Sequence, residues 1–242
     1  RFPNKGFIEA MASLGDSYEK TKSLIEKAAN RIGKKFSDIE LIAVSKTWPI
    51  EIISELVDCG HTVFGENKVQ EIETKVPNMS SKLEWHFIGH LQKNKVRKVL
   101  PLINKIHSVD SLQIAKRIND IASELGLFPK VLLQINNADE ASKHGFSKDN
   151  LFGSIDELLN LDRVEIEGLM AIPPFDPDPE KVRPYFIDLR ETRDKLETTC
   201  DIKLPHLSMG MSNDFEVAIE EGATSVRVGS SIFGKRSYKP KK

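Results

Sequence analysis

Short apolar runs alternate with stretches of helical period from residue 41 onward, and this alternation predicts the architecture. Ahead of it, Asp16–Lys35 sets Leu24, Ile25, Ala28, Ala29 and Ile32 at helical spacing, with Gly33 where a C-terminal signal belongs. Leu41–Lys46 is continuously apolar up to Ser45, as a strand buried on both faces of a parallel sheet requires. Pro49 then opens a predicted helix through Cys59, closed by Gly60. The unit recurs, with predicted strands at Thr62–Phe64, Glu84–Ile88, Lys105–Val109, Lys130–Ile135, Val164–Met170, His206–Met209 and Thr224–Val228. Predicted helices fall between them at Lys68–Val76, Gln92–Leu100, Ser111–Leu125, Lys148–Leu161, Pro179–Cys200 and Asp214–Glu221. Strand and helix in regular alternation mean βαβ units and a parallel sheet. Eight strands favour closure, so the expected fold is α/β, a (β/α)8 TIM-type barrel over 16–236 with an extra N-terminal helix. Residues 1–15 read as an irregular extension and 237–242 as a disordered basic tail.

Composition narrows the function classes. The chain has 242 residues, enough for one large barrel without metal or disulfide support. Lys+Arg number 35 against 36 Asp+Glu, so no global basic field points to nucleic acid or an anionic membrane. Cys59 and Cys200 lack CxxC spacing and read as buried small hydrophobes in a reducing, cytoplasmic compartment. No apolar run approaches the roughly 18 residues of a membrane span.

In a parallel barrel, function collects where strands end. Lys46 follows four apolar residues at such an end; it reads either as an amine activated by desolvation or as a lysine snorkelling to solvent. Ser208-Met-Gly-Met-Ser212 and Gly229-Ser230-Ser231 follow the last two strands, where free N–H groups suit a phosphate. Gly229–Arg236 nearly matches a P-loop, but Arg236 replaces the magnesium-binding hydroxyl and too little chain follows. The six histidines show no paired metal-ligand spacing, so no metal site is expected. Lys93–Lys98 reads as a solvated basic face.

Taken together, Ala43-Val-Ser-Lys-Thr47, Phe64-Gly-Glu-Asn67, Trp85-His-Phe-Ile-Gly-His-Leu-Gln92, Gly168-Leu-Met-Ala-Ile172, Leu207-Ser-Met-Gly-Met-Ser212 and Val226-Arg-Val-Gly229 resemble the pyridoxal phosphate homeostasis protein family, the single-domain relatives of alanine racemase. The resemblance implies an alanine racemase N-terminal-like barrel that holds pyridoxal 5′-phosphate (PLP) as a Lys46 aldimine, without robust catalytic turnover. It implies Ser208, Ser212, Gly229 and Ser230 at the phosphate, Arg227 at the pyridine nitrogen and Asn67 near the ring. PLP-dependent apo-enzymes would be the recipients of the cofactor, and the chain a monomer or weak dimer. Where the family commonly reads Lys-Ser-Gly, this chain has Lys143-His144-Gly145. The alternative within the same fold is an amino-acid racemase, which needs a second acid/base opposite Lys46. A phosphosugar aldolase would also combine a lysine with a phosphate site, but it leaves the long motif matches unexplained.

Overall fold

The structure is a computed structural model that describes residues 5–138 and 144–234, with side chains from residue 14 onward. The N-terminal part is α1 (Lys5–Arg31), followed by β1 (Glu40–Val44), α2 (Ile50–Asp58), β2 (Val63–Glu66), α3 (Val69–Lys75), β3 (Glu84–Phe87), α4 (Val96–Val99) and β4 (Lys105–Val109). Then come α5 (Leu112–Leu125), β5 (Lys130–Ile135), α6 (Lys148–Leu159), β6 (Glu165–Ala171), α7 (Arg183–Cys200), β7 (His206–Met211), α8 (Phe215–Glu220), β8 (Ser225–Val228) and α9 (Ser230–Phe233). The strands run in sequence order around a closed parallel barrel. Closure comes from β1 against β8, with Leu41 opposite Val226 and Ile42 opposite Arg227.

Two layers of side chains explain why the strands looked continuously apolar. Between strands and helices lie fully buried groups such as Phe64, Phe87, Ile106, Leu133 and Leu207. Inside the barrel the lining is partly polar. His107 of β4 bonds Ser208 of β7 at 2.8 Å, a contact that spans the interior because those strands are not neighbours.

Several boundaries differ from the pattern-based expectation. The first helix begins at Lys5 rather than Asp16, so residues 5–15 are helical and not an irregular extension. Gly15 lies inside this helix, and a Cβ there would meet Cys59 Sγ at an ordinary contact distance of 3.9 Å. The basic stretch is not one helix: Lys93–Lys95 form a 3₁₀ turn, Val96–Val99 alone is α-helical, and Pro101, which lacks an N–H, falls in a second 3₁₀ turn, Leu100–Leu102. Of its charges, Lys98 pairs with Glu73 at 3.0 Å and Arg97 with Glu124 at the surface. Cys59 is exposed and Cys200 half-buried, correcting the expectation that both are buried. Cys59 caps the end of α2 just before the left-handed Gly60, where the chain turns at the surface. Lys143, Arg236 and the tail 237–242 lie outside the described residues. Among the described residues, no helix is long and apolar enough to cross a membrane.

Candidate functional site

A cavity of about 480 Å³ opens at the carboxyl ends of the strands. Lys46, Asn67, Ser212, Arg227, Gly229 and Ser230 line it, so six of the predicted site residues converge although they come from β1, β2, β7 and β8.

Lys46 sits in the turn directly after β1, and the next residue, Thr47, has φ = 69°. A left-handed β-branched residue costs about 1–3 kcal/mol and persists only where its surroundings enforce it. Here they do. Thr47 N–H donates to Glu71 Oε2 at 2.7 Å, and the Lys75 ammonium bonds the same oxygen at 2.7 Å. Lys75 also reaches Glu66 Oε1 at 2.6 Å and the Ser45 carbonyl at 2.9 Å, while Ser45 Oγ donates to Glu66 Oε1 at 2.6 Å. The residues on both sides of Lys46 are thereby tied to one buried charge cluster. Burial raises the Glu66 carboxyl above its ordinary value, and the bonds from Lys75 and Ser45 only partly offset this. Burial acts the same way on Glu71, but Lys75 and the Thr47 N–H outweigh it and hold that carboxyl low.

Across the mouth, Arg227 is buried on β8, and loss of water lowers its guanidinium to about 10, against a smaller opposing effect from Asp214. It stays cationic at neutral pH. Its Nη1 donates to Ser208 Oγ at 2.5 Å and its Nη2 to the Ala171 carbonyl at 2.9 Å, which fixes the plane of the fork. Ser208 supports Arg227 and is not among the residues that line the cavity, whereas a place at the phosphate was expected for it. The reason is strand length. Strand β7 runs on to Met211, so Ser208 lies in mid-strand, facing the barrel interior, and not at its exit.

Beneath Ser208 the polar line continues, with His107 Nε2 3.1 Å from His86 Nδ1. Burial lowers His86 to about 3 and His107 far below the ordinary imidazole value, so both rings are neutral. Neutral rings allow one satisfied polarity: Arg227 donates to Ser208, Ser208 to His107, and His107 to His86.

The Ser212 hydroxyl oxygen accepts N–H groups from Gly229 at 3.1 Å and Ser231 at 3.3 Å, so backbone donors converge on an oxygen at this corner of the cavity. Gly210, at φ = 93°, makes the turn possible, since a Cβ there would meet Phe215 Cα at 2.9 Å. Stacking of Trp48 on Phe233, with centroids 5.7 Å apart, ties the Lys46 turn to α9. Asn67 Oδ1 is buried on the wall without a hydrogen-bond partner among the described residues. An ammonium, a guanidinium, converging N–H groups and one orphaned polar atom form a site for a phosphorylated, carbonyl-bearing ring.

Sequence reasoning did not bring together His90 and His144, which face each other at the rim, and Asp110 beside them. They follow β3, β5 and β4, and no linear spacing advertises such a grouping.

Comparison with known proteins places this geometry in context. The sequence profile described as "Alanine racemase, N-terminal domain" matches residues 22–237. The pyridoxal phosphate homeostasis protein of Aquifex aeolicus is 46% identical over 215 residues, covering 88% of this chain and 94% of that protein. Its counterpart in Escherichia coli K12 is 40% identical over 241 residues, covering 96% of this chain and 100% of that protein. Among solved structures, PipY of Synechococcus elongatus with PLP bound superposes with a TM-score of 0.77 at 37% identity, covering 87% of this chain and 99% of PipY. Alanine racemase of Clostridium difficile, in complex with cycloserine, gives 0.74 at 19% identity, covering 94% of this chain and 61% of the racemase, a likeness of fold alone.

Proposed function

The chain belongs to the pyridoxal phosphate homeostasis proteins, within the alanine racemase N-terminal domain family, and from that membership we propose that its cavity holds PLP on Lys46. The observation that carries this reading is the convergence of Lys46, Arg227 and the Ser212–Gly229 donor corner on one cavity. PLP in such a site supplies an aldehyde that condenses with an amine, losing one water, and a ring that can draw electrons from the adduct.

The chain's own groups divide the work. Lys46 provides the attachment point, presented in one direction by the strained turn between Ser45 and Thr47. Ser212, Gly229 and Ser230 would receive the phosphate where β8 leads into α9, a corner whose Gly229 N–H is given to Ser212 Oγ here and would turn to a dianion instead. Asn67 offers its unpartnered oxygen to a donor on the ligand. Arg227, a cation whose fork is locked by Ser208 and Ala171, would be the partner of the ring nitrogen. A fixed cation there disfavours protonation of that nitrogen, so the ring withdraws electrons poorly. This arrangement favours holding the cofactor over activating it.

The racemase reading needs an acid/base group opposite Lys46. Of the tyrosines in the described residues, Tyr18 packs in α1 against His61 and Tyr185 lies on α7, and neither lines the cavity. The proposal accordingly extends to intracellular PLP homeostasis in the cytoplasm, with apo-enzymes that use PLP as recipients and the chain as monomer or weak dimer. Purified protein mixed with PLP should develop a visible absorbance band that borohydride converts to a stable mass increment on the Lys46 peptide. Lys46→Ala should abolish both. A protein that takes up no PLP, or an increment that persists in Lys46→Ala, refutes the assignment.

A further inference from the structure

We propose that His90, Asp110 and His144 form a binding site for a divalent transition-metal ion at the rim of the cavity. The three residues leave three consecutive strands, β3, β4 and β5, so closure of the barrel brings their side chains together. His90 Nδ1 lies 2.9 Å from Asp110 Oδ2, and His144 Nδ1 lies 3.6 Å from the same oxygen. All three donor atoms fall within 4.8 Å of one another. Metal bonds of about 2.1 Å in tetrahedral geometry put neighbouring donors about 3.4 Å apart, and the two observed separations bracket that edge.

The donor set is as informative as the distances. Two imidazoles and a carboxylate suit zinc, cobalt or nickel, whereas magnesium and calcium prefer all-oxygen ligands. Three protein ligands also leave a coordination position open. The carboxylate is anchored: Asp110 is 7% exposed at its side chain, and its Oδ1 accepts from Ser111 Oγ at 3.2 Å. Ser111 in turn caps α5 by accepting from Ile114 N–H, so the anchor is built into a helix start. The imidazoles are more exposed than the carboxylate. Their rings stack with centroids 3.7 Å apart and planes 12° from parallel, and His144 is the more exposed. Rotation of His144 about its side chain is the adjustment needed to turn both lone pairs onto one ion. The cluster depends on His144, the position where this chain departs from the Lys-Ser-Gly pattern. A second grouping, Glu40, Glu84 and His86, lacks this freedom because the His86 ring is engaged with His107 inside the barrel.

Cobalt(II) titration of the full chain, free of any affinity tag and stripped of PLP, reads the site through its visible d–d absorption, and calorimetry with zinc gives the affinity. One equivalent should bind, and His144→Ser and Asp110→Asn should each weaken binding by about tenfold or more. Cys59→Ser should leave it unchanged. His144 is exposed, so its variant should melt like the parent. Absence of a cobalt spectrum at millimolar metal overturns the proposal. So does an affinity indifferent to both substitutions, or one lost in Cys59→Ser.

Discussion

Replacing Lys75 with Met tests whether the charge cluster under Lys46 is as tightly coupled as its geometry indicates. Lys75 is 5% exposed, Glu66 is fully buried, and the ammonium bonds Glu66, Glu71 and the Ser45 carbonyl at 2.6–2.9 Å. Methionine matches the length of the aliphatic stem but leaves Glu66 as a buried charge whose only remaining side-chain donor among the described residues is Ser45. Removing one partner of a buried pair costs about 3–5 kcal/mol, because the other partner's desolvation is no longer offset. For a chain of this size each kcal/mol moves the melting temperature by about 2–4 °C, so a drop of about 6–20 °C is expected. The pH dependence has a defined sign. Burial already raises Glu66 in the parent, and loss of Lys75 removes an opposing influence, so Glu66 rises further. A carboxyl with a raised folded-state value takes up a proton more readily than its unfolded counterpart. Its protonated form therefore relieves the variant at acid pH, and the deficit against the parent grows as pH rises through that raised value. Urea denaturation followed by circular dichroism at several pH values measures this directly. Adding Glu66→Gln to Lys75→Met should recover part of the loss. A deficit below about 1 kcal/mol at neutral pH, a deficit independent of pH, or a double variant no better than the single would refute the reasoning.

Other positions yield sharper local expectations. Gly89→Ala would place a Cβ 2.1 Å from the Asn67 carbonyl oxygen, so about 3 kcal/mol or more of stability should be lost, with PLP uptake falling as Asn67 shifts; an unchanged urea midpoint would contradict it. Ser208→Ala leaves His107 Nδ1 and one Arg227 N–H unpaired in the interior, and should cost about 1–3 kcal/mol while altering the spectrum of PLP-loaded protein. His86 is held to about 3 against 6.5, so its contribution to stability is fully present above 6.5 and lost as pH falls toward 3. Between neutrality and pH 5 the His86 share of that loss is about 2 kcal/mol. The fall in stability over that interval should shrink by this amount in His86→Leu, and an identical profile would show that the ring is not buried neutral.

Much of the barrel was legible because parallel strands buried on both faces leave apolar runs, and each helix carries its own punctuation. Gly126, for example, takes the left-handed conformation that ends α5. Lys46, Arg227 and Gly229 were legible from strand ends and from the family motifs. Ser208 was read at a strand exit because the Gly210-Met211 pair looks like loop, whereas β7 continues through it and carries the serine inward. The pairings of His107 with Ser208, and of His90 with Asp110 and His144, join residues from separate strands. Periodicity reports which face a residue takes, not which distant residue it meets there.

The seam between β1 and β8 has a consequence for how the molecule comes into being. Glu40 pairs with Ser225 across nearly the whole length of the chain, and this last pairing sets Lys46 beside Arg227 and Gly229. Contacts of such separation carry the greatest loop-closure cost and tend to form late. A nascent or frayed barrel thus has Lys46 on one edge and Arg227 and Gly229 on the other, with no cavity between them. Any ligand that spans the two will act as a clasp, favouring the closed ring by mass action. Cofactor retention then doubles as a readout of whether the protein has finished folding.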